Sequence, residues 1–258
     1  MESSKAGFSR SAHLAMAAKS RIIFTGGSGL LGLEFKKIRP EIDYPSSKQF
    51  NVTNYSQMKQ YIQSNGCDLI VHAAAFTSPP TVEKSPLQAL EVNIVGTCNI
   101  VKLCMEFSIR LIYISTDYVF KGDKGNYSED DPVHPVNKYA WSKLGGECAV
   151  RLYDKSLIIR TTFGPNVFPY DKAFVDQWTS RESVSTIASM ISLLIDRNIT
   201  GIIHVGGKRK TVFEYARSLD PAKNIGELSV HDVSFRVPAD TSLNCERYNQ
   251  IFEAEQQT

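Results

Sequence analysis

The chain has 258 residues, 42% of them hydrophobic and 22% charged, and a net charge of +2. This composition supports one packed domain with at most a small extra lobe and excludes wholesale disorder. The near-neutral charge gives no footing for nucleic acid, and no apolar run approaches the roughly 18 residues that span a bilayer.

Cys67, Cys98, Cys104, Cys148 and Cys245 are odd in number and form no C-x-x-C pair. That pattern fits neither a disulfide framework nor a structural zinc site, so no metal is expected and a reducing, cytoplasmic setting is. Residues 1–20 are rich in Ser and Ala and lack the apolar stretch of a secretory signal. They read as a disordered tail, with an organelle-targeting peptide as the alternative.

Beyond the tail, short apolar runs alternate with amphipathic stretches. Residues 21–25 (RIIFT) read as a buried strand, followed by glycines and a helix from about Leu30 to Ile38, stopped by Pro40. A short strand is expected over Glu41–Pro45. Residues 67–72, 110–115, 156–160 and 201–205 read as further buried strands. Residues 86–107, 137–151 and 183–196 have helical spacing. Continuous apolar strands between helices indicate an α/β fold: a Rossmann-like, doubly wound parallel sheet covered on both faces. Residues 21–160 form the nucleotide-binding core in this reading. Residues 161–258 supply a small C-terminal substrate lobe interleaved with the last core elements. The loops at residues 76–85, 121–135 and 164–171 follow strands, where such sheets place their ligands.

The segment Gly26-Gly27-Ser28-Gly29-Leu30-Leu31-Gly32 joins the first strand to the first helix. Gly26 allows the tight turn, Gly29 lets backbone approach a pyrophosphate, and Gly32 lets helix pack on strand. The helix N-terminus then offers N–H groups to the phosphates. A bound NAD or NADP follows from this strand–turn–helix context. Asp43 is the nearest candidate for the acidic ribose ligand. Ser46-Ser47-Lys48 follow it, and Ser47 and Lys48 could hold a 2′-phosphate, which tilts the choice toward NADP.

Tyr139 and Lys143 stand at i and i+4 and share one helix face. A nearby ammonium favours the phenolate and brings the tyrosine toward useful acid–base strength. Upstream, Ser115-Thr116-Asp117-Tyr118 follow a buried strand and put the Thr116 hydroxyl at its carboxyl end. A glycine turn, a strand-end hydroxyl and a Tyr–Lys helix occur in the order that a reductase needs.

TGGSGLLG, HAAAFT, STDYVF and YAWSK together resemble the extended short-chain dehydrogenases, and among them the dTDP-4-dehydrorhamnose reductase family. The resemblance runs from Arg21 to about Ile251 and includes VPADTSLNCERY near the end. It implies Thr116, Tyr139 and Lys143 as the catalytic set. It implies cofactor contacts from Gly26, Ser28, Gly29, Leu30, Leu31, Gly32, Ala73, Ala74, Ala75, Asn93, Tyr139 and Lys143. Thr77, Thr116, Asp117 and Tyr118 would meet the sugar. Homodimerisation is implied only by the same analogy. His72 reads as a structural histidine.

Two departures stand out. Ala173-Phe174-Val175 replaces the family's Asn-Phe-Val, and Asp176-Gln177 follow at once, where relatives insert a helix and a strand. A compact member with a reduced lid is expected, with Arg160, Arg181 and Lys172 as candidate diphosphate partners. The implied activity is reduction of a 4-keto-6-deoxy sugar on a nucleoside diphosphate. The rival readings are a nucleotide-sugar epimerase or dehydratase, disfavoured by Asp117-Tyr118 where a dehydratase shows Asp-Glu, and a non-catalytic regulatory subunit such as that of methionine adenosyltransferase.

Overall fold

The structure is a computed structural model that describes residues 20–253. The tail expected over residues 1–20 thus lies, apart from Ser20, outside the described residues. Strands β1 (Ile22–Thr25), β2 (Leu69–His72), β3 (Arg110–Thr116), β4 (Ser156–Thr161) and β5 (Gly201–Val205) form one parallel sheet in that order. Six helices accompany them here: α1 (Leu30–Ile38), α2 (Tyr55–Asn65), α3 (Thr97–Phe107), α4 (Lys138–Val150), α5 (Val184–Ile195) and α6 (Val212–Leu219).

The sheet is buried on both faces because successive strand residues point to opposite sides and both sets are apolar. Phe24, Val71, Ile112 and Ile159 pack with α1 and α5, whereas Ile23, Ile70, Leu111 and Ile158 pack with α2 and α3. Each fully buried aliphatic side chain contributes roughly 1.5–3 kcal/mol. The expected doubly wound α/β fold is therefore the one observed.

Two elements differ from the sequence reading. The strand expected over Glu41–Pro45 shrinks to one bridge, Asp43 to Ile23, on the free edge of β1. Pro45 has no N–H for a ladder, and the chain turns at once, with Gln49 N and Phe50 N both donating to Ser46 O. The long helix expected over residues 86–107 is interrupted by a π-helical segment, Leu90–Gly96, before α3. From β1 the chain visits one edge and then crosses back to β2. This reversal opens a crevice beyond the carboxyl ends of β1 and β2.

Helix α4 is capped by Asn137, whose side chain accepts from Ala140 N at 2.9 Å. Glu147 on this helix accepts from Ser115 Oγ on β3 at 2.9 Å and from Arg160 Nη2 on β4 at 2.7 Å. Arg160, expected at the substrate's diphosphate, is fully buried in this pair and donates also to Glu129 O at 3.3 Å. Near the carboxyl end of β4 its side chain is taken up by Glu147 and the Glu129 carbonyl, and on this strand only the next residue, Thr161, lines the crevice. The lobe is built from three minimal strand pairs: Phe163–Gly164 with Glu182–Ser183, Lys172–Phe174 with Gly226–Leu228, and Trp178–Thr179 with Lys210–Thr211. Phe168, Ala173, Val212, Tyr215 and Ile225 form its core, and a Thr211–Glu214 capping box starts α6.

Removing one partner of a buried ion pair strands the other charge. Glu147→Ala should lower stability by about 3–5 kcal/mol, read as a lower urea midpoint. Adding Arg160→Met should restore part of the loss, and a single variant with an unmoved midpoint would contradict the pairing.

Candidate active site

The crevice holds a cavity of about 620 Å³, lined by the glycine turn, the end of β2, the end of β3 and α4. At the turn, Gly26 has φ +80°, and a Cβ there would lie 2.8 Å from Ala74 N. At Gly32 a Cβ would lie 2.5 Å from Gly26 O, so neither position accepts a side chain without displacing backbone. Gly29 caps α1 with no side-chain cap, leaving the first-turn N–H groups to an anion. This cradle fits a dinucleotide's pyrophosphate.

The sequence-selected residues Gly26, Ser28, Gly29, Leu30, Leu31, Gly32, Ala73, Ala74, Ala75, Thr77, Thr116, Asp117, Tyr118, Tyr139 and Lys143 all line this one cavity. Thr116 Oγ1 donates to Asp117 Oδ1 at 3.1 Å and accepts from Tyr118 N at 3.2 Å. The Asp117 carboxylate also accepts from Thr241 Oγ1 at 2.6 Å. Burial raises Asp117 from the ordinary aspartate range to about 6, against the pull of Thr241, Arg181 and Thr116. Burial likewise raises the Tyr139 phenol above its ordinary value, opposed by the neighbouring Thr116 hydroxyl. A phenol held protonated near neutrality is suited to donating a proton. Lys143 is buried, donates from Nζ to Ile114 O at 2.8 Å and lies 4.2 Å from the centre of the Tyr113 ring. Desolvation lowers it to about 7, against the pull of Glu147. In this state burial and Thr116 set the phenol, rather than the ammonium that the i, i+4 spacing suggested.

Other selected residues fall outside. Ser47 and Lys48 are exposed on the turn after Pro45 and do not line the cavity. Asp43 accepts from Tyr61 at 2.6 Å and borders a separate cavity beside the amino-terminal end of β1. Asn93 is buried in the π-helical segment. Its side chain holds Phe76 N at 2.7 Å and Phe76 O at 3.0 Å, and it donates to Ser142 Oγ at 2.8 Å. It therefore positions the loop after β2 against α4 rather than lining the crevice. His72 is structural: Thr25 and Thr97 flank its ring nitrogens at 2.8 and 3.1 Å, and burial depresses it to about 3. Of the three candidate cations only Arg181 lines the cavity. Lys172 is exposed, and neighbouring Ala173 is buried in the lobe core. Thr162, Phe163, Pro165 and Tyr170 also line the cavity. Sequence reasoning did not single them out, although they flank or lie within the loop expected at residues 164–171.

Fold and site together define an extended short-chain dehydrogenase/reductase, a class of NAD(P)-dependent oxidoreductases. Residues 20–172 match the family described as the RmlD substrate binding domain, and the chain belongs to that family. It is 31% identical to a dTDP-4-dehydrorhamnose reductase of Aggregatibacter actinomycetemcomitans, over 67% of this chain and 62% of that one. It is 26% identical to methionine adenosyltransferase 2 subunit beta of Bos taurus, over 90% of this chain and 82% of that one. The structure of a Bacillus anthracis dTDP-4-dehydrorhamnose reductase in complex with NADP superposes with a TM-score of 0.82 at 28% identity, covering 91% of this chain and 92% of that one.

The depressed lysine has a stability signature. Folded Lys143 titrates near 7 and an unfolded lysine near 10.5, so between those values the unfolded chain binds more protons and stability from this group rises with pH. Lys143→Met removes the term. The stability margin of the variant over the parent should be largest at and below pH 7 and should shrink steadily toward pH 10.5. Urea titrations across that range check this, and a flat margin would contradict it.

Proposed function

We propose that this protein reduces the 4-keto group of a 6-deoxy sugar carried on a nucleoside diphosphate, with NADPH as the preferred reductant. The observation that carries this reading is the meeting of Thr116, Tyr139 and Lys143 in one cavity with the glycine turn. When bound, the reduced nicotinamide supplies hydride to the carbonyl carbon. Tyr139, held protonated by burial, donates its proton to the carbonyl oxygen. Thr116, which lines the cavity beside Tyr139, orients that oxygen. Lys143, poised near neutrality, steadies the phenolate that forms and would hold the nicotinamide ribose. Asn93 holds the loop after β2 so that Ala73, Ala74 and Ala75 line the cofactor side.

The preference for NADPH is supported at the adenosine end. The Asp43 carboxylate, which would repel a 2′-phosphate, accepts from Tyr61 on α2 and does not line the cavity. After it come Tyr44, with Lys36 Nζ 5.5 Å from its ring centre, Pro45, and the exposed Ser46 and Ser47.

A second reading, a nucleotide-binding regulatory subunit, is favoured by one observation: the bovine beta subunit is matched over most of both chains. The two readings diverge in a turnover assay with dTDP-4-keto-6-deoxy sugar and NADPH or NADH, followed at the nicotinamide absorbance. The enzyme reading expects steady oxidation, faster with NADPH. Tyr139→Phe should then lower kcat by about 10²–10⁴ with cofactor affinity unchanged. Full turnover in Tyr139→Phe would remove the proton-donor role. No turnover in the parent protein, together with a stable complex with a methionine adenosyltransferase catalytic subunit, would replace the enzyme reading.

A further inference from the structure

Arg181 stands between the strands Trp178–Thr179 and Glu182–Ser183, on the lobe side of the cavity, which it lines. Its Nε is buried and has no hydrogen-bond partner among the described residues. Other arginines here are neutralised at short range. Arg39, Arg160, Arg209 and Arg247 lie 3.0, 2.7, 2.8 and 3.2 Å from carboxylates of Asp196, Glu147, Asp240 and Asp130. Among the described residues no carboxylate lies within 4.0 Å of Arg181. Its chain neighbour Glu182 and the cavity-lining Asp117 are already engaged. Asp117 accepts from Thr116 and Thr241, and Glu182 is bound to Lys210 at 2.5 Å.

A partly desolvated guanidinium with no carboxylate in contact and its Nε unpartnered is costly, and a planar fork of donors is shaped for a phosphate or carboxylate. The location selects which anion. The cofactor's pyrophosphate has the amino terminus of α1. Arg181 lies instead near Asp117, Tyr118 and Tyr215, whose ionisation it affects, and it lines the cavity together with Thr116.

We propose that Arg181 anchors a phosphate of the substrate's nucleoside diphosphate, making it the main anion contact that the reduced lobe retains. This rests on the nucleotide-sugar reading above. Arg160 and Lys172 lie outside the cavity, so the task falls to Arg181 among the three cations.

The test is calorimetric titration of the full chain, saturated with NADPH, with dTDP, thymidine monophosphate and thymidine. Arg181→Gln should weaken dTDP binding by about 10- to 100-fold and narrow the gap between dTDP and thymidine. NADPH affinity should stay unchanged, since the cofactor's pyrophosphate is served by the amino terminus of α1. Arg181→Lys, which keeps the charge and loses the fork, should fall between and serves if the glutamine variant does not fold. Equal dTDP affinity in the parent and both variants would overturn the anchor and leave the nucleotide-sugar reading standing. A parent protein that binds NADPH but neither dTDP nor UDP would overturn both.

Discussion

The buried carboxylate of Glu147 sets the register between α4 and the sheet. Tyr139, Lys143 and Glu147 follow one another at four-residue steps and so share the helix face turned to the sheet. Glu147 reaches Ser115 on β3 and Arg160 on β4, while Lys143 reaches the Ile114 carbonyl. With positions 114, 115 and 160 fixed against positions 143 and 147, the next turn of the helix brings Tyr139 to Thr116. Slippage by one helical residue would swing this polar face away and leave Arg160 buried without a partner. A buried pair adds little net stability over an apolar replacement, yet breaking it is expensive. We infer that its value here is specification of one docking of the helix.

This arrangement divides labour within the crevice. The cofactor side is made of backbone and small residues, because Gly26, Gly32 and the alanines at 73–75 allow close approach. The reacting centre is made of polar side chains whose ordinary ionisation burial has altered. Displaced ionisation of several neighbours in one cleft is a mark of a chemical site. The closing segment completes it from behind: Thr241 binds the Asp117 carboxylate, and Ser242 pairs with Tyr127 through the backbone. The carboxyl-terminal part of the chain thereby stabilises a residue next to Thr116.

The legible part of this architecture was the part written in local pattern. Continuous apolar runs gave the five strands, and the glycine spacing placed the turn on β1. The order of Thr116, Tyr139 and Lys143 foretold their convergence. Long-range pairing was invisible. Nothing near Arg160 showed that Glu147, thirteen positions earlier on a helix, would claim it inside the sheet. Ser47 and Lys48 looked like phosphate ligands because small polar and basic residues in a turn do, but Pro45 ends the expected strand early and leaves both exposed, outside the cavity's lining. Asn93 had the right chemistry for a site, but a π-helical insertion that sequence periodicity does not reveal turns it toward Phe76 and Ser142.

The two kinds of relative pose a physical question that the interior helps to answer. A module that only bound dinucleotide would need the glycine cradle and little beyond it. Beyond a ribose contact, it would gain little from an ammonium kept desolvated at Lys143, which destabilises the fold wherever it is charged. Nor would it need a phenol held against a strand-end hydroxyl, or an arginine facing the cavity with its Nε unpartnered. These features each cost folding free energy, and they gather on the side of the cavity away from the glycine turn. A second ligand carrying a reducible carbonyl and an anionic group would offset all three costs at once. That concentration, more than overall similarity to either kind of relative, is why the reductase reading fits this interior better than the binding-subunit one.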